Sequence, residues 1–271
     1  MKYDPIKRSL GKVFNRTPFL RIIFYKLLDI LLLRSWHIRR ELKKLSVDQR
    51  EILDAGSGFG QYVYRMSCYF KKAHILGVDV KNEQVEDCNQ FFQKIGKGER
   101  VQFEYADLTQ FVSKDRFSLI LSVDVMEHIE EDCDVFDHFY QSLKEDGTLL
   151  ISTPSDQGGS DAHDHDHDHD EVHGFIDEHV RDGYGVEDIK SKLTNAGFHS
   201  IDVAYSYGCP GKISWKLSMK YPILLLGVSQ LFFVLLPFYY LVVFPLCIIL
   251  NYMDVLMKHD TGTGLIVVAK K

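Results

Sequence analysis

The stretch Asp54-Ala55-Gly56-Ser57-Gly58-Phe59-Gly60-Gln61 follows the apolar pair Ile52-Leu53 and has the makings of a ligand-binding turn. Glycines at 56, 58 and 60 permit positive φ and carry no Cβ, so the backbone can approach a nucleotide-type ligand while residues 61–70 begin a helix. A second acid, Asp79, lies in the next apolar run, 74–80, where a strand-2 carboxylate would accept the two hydroxyls of a ribose. His128 supplies an imidazole, which titrates near neutrality and suits a base that removes a proton from an acceptor. Its structural alternative is a helix-start residue bonded to backbone. The glycine turn alone is a weak signal, because many α/β turns hold glycines for conformational reasons. The dinucleotide fingerprint GxGxxG would need its last glycine at position 61, where the chain has Gln61.

Five segments in order strengthen the signal: DAGSGFG at 54–60, GVDV at 77–80, Ala106-Asp107-Leu108, SVDVMEHI at 122–129 and GTLLISTP at 147–154. Together they resemble the class I S-adenosylmethionine-dependent methyltransferases, over about residues 45–205 and 262–271. The resemblance implies an α/β fold, a doubly wound seven-stranded Rossmann-like sheet whose seventh strand runs antiparallel beside the sixth, and S-adenosyl-L-methionine as cofactor. It assigns Asp54, Gly56, Ser57, Gly58 and Gly60 to the methionyl end, Asp79 to the ribose hydroxyls, Asp107 to the adenine amino group, and Leu108 and Ser122 to further cofactor contacts. It makes His128, at the end of strand four, the catalytic candidate. The Glu127-His128 pair looks like the matching segment of quinone-pathway O-methyltransferases, where nearby acids hold a divalent ion. A metal on Glu127, Glu130 or Glu131 is left open, and none is assigned. His179, Arg181 and Tyr184 resemble the post-strand-five segment of small-molecule and lipid-pathway methyltransferases, which implies acceptor binding or a lid latch; the alternative is ordinary capping of helix 186–196. Trp36 and Arg40 would cover the cofactor or bind its carboxylate, with membrane anchoring as the competing role.

Apolar runs at 51–54, 74–80, 101–106, 117–125 and 148–152 alternate with helical patterns at 61–70, 83–95 and 131–144. Such alternation builds a parallel sheet with helices on both faces. A helix stopped by Gly197, a sixth strand at 201–205 and a last strand at 264–269 complete the series. At 271 residues the chain reads as one decorated domain. Residues 1–45 form a basic amphipathic N-terminal helical region. Residues 46–271 form the methyltransferase domain, interrupted by a flexible Asp/His-rich loop at 155–180 and a hydrophobic, membrane-associating insert at 212–258.

Net charge is −6, yet residues 1–50 hold 13 Lys and Arg against 4 Asp and Glu. Arg8, Arg16, Arg21, Lys26, Arg34, Arg39 and Arg40 alternate with Phe and Leu, which suits a helix on an anionic bilayer surface. Packing of the helix on the domain is the plainer alternative. The arm is too apolar for a phosphate-binding stripe and no nucleic-acid motif accompanies it. Lys26 and Asp29 interrupt any signal-peptide core. The five cysteines include no CxxC pair, as expected of free thiols in a reducing cytoplasm. The tract at 161–173 alternates Asp and His; a repeating dipeptide defines no fixed coordination shell, so a solvated lid is expected there rather than a metal site.

Between strands six and seven, residues 221–253 run for 33 positions without a charge. About 20 residues suffice to cross a bilayer. A single crossing would separate two strands that must pair, so the segment has to leave and return on one side. With Pro237 as the central break, two arms of about 15 residues would reach roughly 22 Å each, short of the hydrocarbon thickness. The expectation is therefore a re-entrant or interfacial helical hairpin, flanked by Lys212, Lys216, Lys220 and Lys258 at the cytoplasmic headgroups. This makes the expected activity methyl transfer to a hydrophobic, membrane-resident small molecule, a lipid, quinol or aryl precursor, by an enzyme peripheral or monotopic on the cytoplasmic face. The rivals are a soluble methyltransferase that dimerises through the hairpin, a non-catalytic cofactor-binding membrane scaffold, and a nicotinamide oxidoreductase.

Overall fold

The computed structural model describes residues 17–45, 50–158, 180–228 and 232–271. Among the described residues two helices come first, α1 (Pro18–Leu31) and α2 (Leu33–Lys44), rather than one. They are separated at Leu32, whose extended φ of −88° and ψ of 111° end α1. The sheet strands are β1 (Glu51–Ala55), β2 (His74–Asp79), β3 (Val101–Tyr105), β4 (Phe117–Val123), β5 (Leu143–Pro154), β6 (His199–Ser206) and β7 (Gly264–Lys270). Helices α3 (Gln61–Tyr69), α4 (Asn82–Lys94), α5 (Asp132–Ser142) and α6 (Val186–Asn195) connect them. The strand order is β3-β2-β1-β4-β5-β7-β6. Only β7 runs antiparallel to its neighbours, β5 and β6, so the doubly wound seven-stranded sheet is present as expected.

Neighbouring residues on β1 face opposite ways and both are buried, the mark of a parallel sheet covered on its two faces. Leu53 packs with Val78, Ile120, Phe136, Tyr184 and Val267, whereas Ile52 packs with Val63, Met66, Phe92 and Ile266. The second layer also takes Tyr25 from α1 and Ile38 and Leu42 from α2. The N-terminal helices thus belong to the core, which corrects the picture of a basic helix lying wholly on a bilayer. Arg21 is buried among protein partners, while Lys26 and Arg39 remain exposed. β4 ends two residues before the expected 125, because Asp124 takes a φ of 52° and turns the chain off the sheet.

The insert contains α7 (Cys209–Trp215), a π turn (Lys216–Lys220), α8 (Tyr221–Val228) and α9 (Phe232–Leu256). α9 continues through Pro237 and Pro245, so Pro237 does not mark the break between arms. Its 25 residues would reach about 37 Å at 1.5 Å per residue, enough by length to cross a bilayer. α7 and the π turn run antiparallel to α9. Ser214 Oγ donates to the Cys247 carbonyl at 3.4 Å, and the Tyr239 and Tyr240 hydroxyls donate to the Leu217 and Ser218 carbonyls at 2.6 and 2.7 Å. The root of α9 is fixed by the buried Asp254, which accepts from His37 Nε2 (2.9 Å), Tyr207 N (3.2 Å) and Gly211 N (3.0 Å). A Cβ at Gly211 would stand 2.6 Å from Asp254 Oδ2, which is why glycine is required there. Along α9, Phe238, Leu241 and Val242 are 68%, 76% and 75% exposed, and Val234, Ile249 and Leu256 continue the same uncovered face.

Candidate cofactor and acceptor site

The carboxyl ends of β1, β2 and β4 meet at the glycine turn. Gly56 N and Ser57 N both donate to the Val78 carbonyl at 2.9 Å, folding the turn back onto β2. Gly56 adopts a φ of +77°, and a Cβ there would fall 2.3 Å from Val125 Cγ2, so both conformation and space demand glycine. Gly60, in the left-handed region, caps α3. Asp79 accepts from Gly58 N through Oδ2 (2.8 Å) and from Lys81 N through Oδ1 (2.9 Å), so the strand-2 acid is held at the rim of the turn. Gln61 occupies the place of the third glycine and is buried. Its Nε2 donates to Asp29 Oδ1 at 2.8 Å and to Ser35 Oγ at 3.3 Å, tying the first turn of α3 to α1 and α2.

α1 lies over this turn. Arg21 Nη2 and the Tyr25 hydroxyl both donate to the Phe59 carbonyl, the former at 2.8 Å, and Arg21 also pairs with Asp87 on α4. Arg65 and Asp29 form an ion pair between α3 and α1. Trp36 Nε1 donates to the Ile30 carbonyl at 3.0 Å, and Arg40 pairs with Glu41 at 2.8 Å and reaches the Val255 carbonyl. Those two residues therefore hold the helical cover and the insert rather than the glycine turn.

Three polar side-chain atoms at the turn are buried and have no partner: Asp54 Oδ2, Ser57 Oγ and Ser122 Oγ. An unpartnered buried polar atom is costly, and three converging on one glycine turn fit a polar ligand there. Burial, reinforced by the Asp79 charge and opposed by the Val63 N–H, pushes the Asp54 carboxyl up to about 8. A cationic ligand would draw it to the ionised form. Asp107 follows β3, which is bound to β2; Ala106 N donates to the Asp79 carbonyl at 3.2 Å. Its Oδ1 accepts from Thr109 N (3.0 Å) and Thr109 Oγ1 (2.8 Å), leaving the other oxygen of this exposed side chain for a ligand amino group. Leu108 is buried, and its carbonyl accepts from His138 Nδ1 at 3.1 Å.

His128 is half-buried in a single helical turn, Met126–His128, just beyond β4. Beside it Glu127 is almost wholly buried and accepts from Thr153 Oγ1 at 3.1 Å. Burial drives the Glu127 pKa upward against that bond and the neighbouring His128 and Arg34 charges. Among the described residues no group of three His, Cys, Asp or Glu side chains is arranged to hold a metal ion.

The acceptor-side expectation is corrected for Tyr184. Its side chain is fully buried, and its hydroxyl lies 2.6 Å from Asp132 Oδ2 and 3.1 Å from the Met126 carbonyl. Arg181 pairs with the same Asp132 and donates to the Ile129 carbonyl at 2.7 Å, and Lys192 completes the set at 2.8 Å. Burial would raise the Asp132 pKa, but the bonds from Lys192 and Tyr184 and the adjacent cations hold it below the usual carboxylate range. Arg181 and Tyr184 therefore latch the segment after β5 onto the turn that carries His128. Tyr184→Phe should cost about 1.5 kcal/mol of stability, the lower end for a bond to a charged group, because Asp132 keeps two cations; urea denaturation checks this. His179 and the Asp/His tract at 161–173 lie outside the described residues.

Asp79 has a testable consequence of its own. Asp79→Ala should weaken cofactor binding at least tenfold, since charge-assisted bonds contribute about 1.5 to 3 kcal/mol each. Asp79→Asn, which keeps a carbonyl for Gly58 N, separates the ribose role from the role in shaping the turn. Unchanged affinity in calorimetry for both variants would show that the ribose lies elsewhere.

Sequence reasoning passed over Arg34 as a site residue. It reaches from α2 to pair with Asp124 immediately after β4, near Tyr62 and Tyr207. Only its place in a basic, apolar run was visible, and that run reads equally well as a membrane arm.

A sheet of this order with this turn at its carboxyl edge defines the class I S-adenosylmethionine-dependent methyltransferases. Residues 34–206 match the family model described as mycolic acid cyclopropane synthetase, and the chain belongs to that family. Phosphoethanolamine N-methyltransferase 1 of Triticum aestivum is 29% identical over 156 residues, 56% of this chain and 29% of that protein. Malonyl-[acyl-carrier protein] O-methyltransferase 2 of Ilyobacter polytropus is 26% identical over 102 residues, 38% of each chain. The chain thus spans less than a third of the wheat protein and well under half of the bacterial one. An S-adenosylmethionine-dependent methyltransferase from Mesorhizobium loti superposes with a TM-score of 0.54 at 17% identity, covering 88% of this chain and 98% of that one. Phosphoethanolamine N-methyltransferase 2 of Haemonchus contortus, solved with S-adenosyl-L-methionine, superposes with a TM-score of 0.54 at 16% identity over 92% of this chain and 60% of that one. At these identities the structures establish the fold. S-adenosylmethionine is the cofactor of this fold and family, and the orphaned atoms of Asp54, Ser57 and Ser122 fit its polar methionyl end.

Proposed function

We propose that the protein transfers a methyl group from S-adenosylmethionine to a hydrophobic, membrane-resident small molecule at the cytoplasmic face of a bilayer. The cofactor supplies a methyl group on a sulfonium, already a good leaving group. The chain's own task is then alignment and exclusion of water. Asp54, Ser57 and Ser122 hold the methionyl end, Asp79 and Asp107 the nucleoside, and α1 covers the glycine turn. His128 takes the proton of an acceptor that must lose one, with Arg181 and Tyr184 fixing the turn on which it stands. Relatives named as N- and O-methyltransferases fit a site whose acceptor atom varies.

One observation favours a membrane acceptor above a water-soluble one. The uncovered face of α9 is rooted through Asp254 and Tyr207 at the same sheet edge as the glycine turn. An apolar face of this length ordinarily has an apolar partner, and a monotopic attachment here brings lipid to the mouth of the site. Incubation of the full chain with methyl-labelled S-adenosylmethionine and a total membrane lipid extract tests the reading. Label in a discrete lipid species is expected; label only in water-soluble acceptors contradicts the membrane assignment.

A further inference from the structure

The glycine turn offers an acid, Asp54, for an ammonium group, while Arg21, the cation lying over the turn, is already engaged by Asp87 and the Phe59 carbonyl; the methionyl end of the cofactor carries both an ammonium and a carboxylate. Arg34, the second residue of α2, stands where that cation is needed. Its Nη1 pairs with Asp124, its backbone N donates to the Tyr207 hydroxyl at 3.2 Å, and its Nε is buried without a partner. Asp124 lies two residues beyond Ser122, and Val125 is the residue against which Gly56 packs. On the other side Ser35, next to Arg34, meets Tyr62 and Gln61 at 3.3 Å in the first turn of α3. Arg34 is therefore bracketed by the two segments that flank Gly56. Its unpartnered Nε–H joins the unpartnered oxygens of Asp54, Ser57 and Ser122 as a fourth buried polar group that a ligand at this turn would satisfy.

Recognition of an α-amino acid zwitterion calls for one carboxylate and one cation with directed donors, and a guanidinium suits a carboxylate better than an ammonium does. We infer that Arg34 receives the carboxylate of the cofactor's methionyl end through Nε while Asp54 receives its ammonium. Asp124 keeps the guanidinium in place from the far side, and the α2 cover becomes part of the cofactor site. This inference rests on the cofactor reading above.

Three ligands separate the charges: S-adenosylhomocysteine has ammonium and carboxylate, decarboxylated S-adenosylmethionine has the ammonium alone, and 5′-methylthioadenosine has neither. In calorimetric titrations, Arg34→Gln should weaken S-adenosylhomocysteine at least about tenfold and leave the other two within roughly twofold of wild type. Arg34→Lys, which keeps a cation beside Asp124, should retain part of the preference for the carboxylate-bearing ligand. It carries the same comparison if the Gln variant does not fold. Equal weakening of all three ligands, or unchanged S-adenosylhomocysteine affinity, overturns the assignment. A wild-type protein that binds none of the three overturns the cofactor reading itself.

Discussion

Asp54→Asn is expected to stabilise the cofactor-free protein and to weaken S-adenosylmethionine binding roughly a hundredfold, the loss of a charge-assisted pair in a buried setting. Both effects come from one carboxyl. Burial first, then the Asp79 charge, raises it from the ordinary 3.8 to about 8. A raised acid pKa in the folded state means that stability is full below the unfolded value and declines as pH rises from about 4 to about 8, where the folded protein must ionise a desolvated group. Asparagine removes that penalty, so the melting temperature of the variant should exceed wild type near pH 8 and approach it near pH 4. On the proposed contact between Asp54 and the cofactor ammonium, which would select the ionised form, wild-type affinity should rise with pH between about 6 and 8, by at most tenfold per unit, and the variant should lose this dependence. Thermal melts and calorimetry across that range check both signs. A wild-type affinity flat with pH would detach Asp54 from the ammonium.

The second large effect concerns the insert. Replacing Phe238, Leu241 and Val242 together by Glu should abolish flotation with anionic vesicles. Each apolar side chain withdrawn from lipid forfeits about 1.5 to 3 kcal/mol, and each acid adds a further cost, so partitioning should fall far more than a hundredfold. These side chains stand on the uncovered face of α9, so S-adenosylhomocysteine binding and the melting temperature should stay near wild type. Unchanged flotation would remove the membrane from the account. A dimer in the wild type that becomes a monomer in the variant, with no vesicle binding in either, would instead identify the face as a protein interface.

What could be read from the chain follows from which requirements are local. The glycine turn is local: Gly56 needs positive φ and no Cβ, Asp79 stands at the end of the next strand, and the five segments keep their order around one sheet. Partners far apart in sequence left no such trace. Arg21 has the spacing of a lipid-facing cation on an amphipathic helix, yet it pairs with Asp87, 66 residues away, under the cover of α1. Tyr184 sits in a polar segment that reads as a site wall, but its ring is buried and its hydroxyl meets Asp132 on another element. Pro237 reads as a break because proline removes a helical donor, whereas α9 continues through it. Arg34 remained hidden for the same reason as Arg21, since its partners Asp124 and Tyr207 are brought near only by the finished sheet.

The most direct test titrates the protein with S-adenosylmethionine and, separately, with NAD. Saturable binding of S-adenosylmethionine, lost in Asp79→Ala, with no heat from NAD, is the predicted result. Binding of NAD in place of S-adenosylmethionine would contradict it.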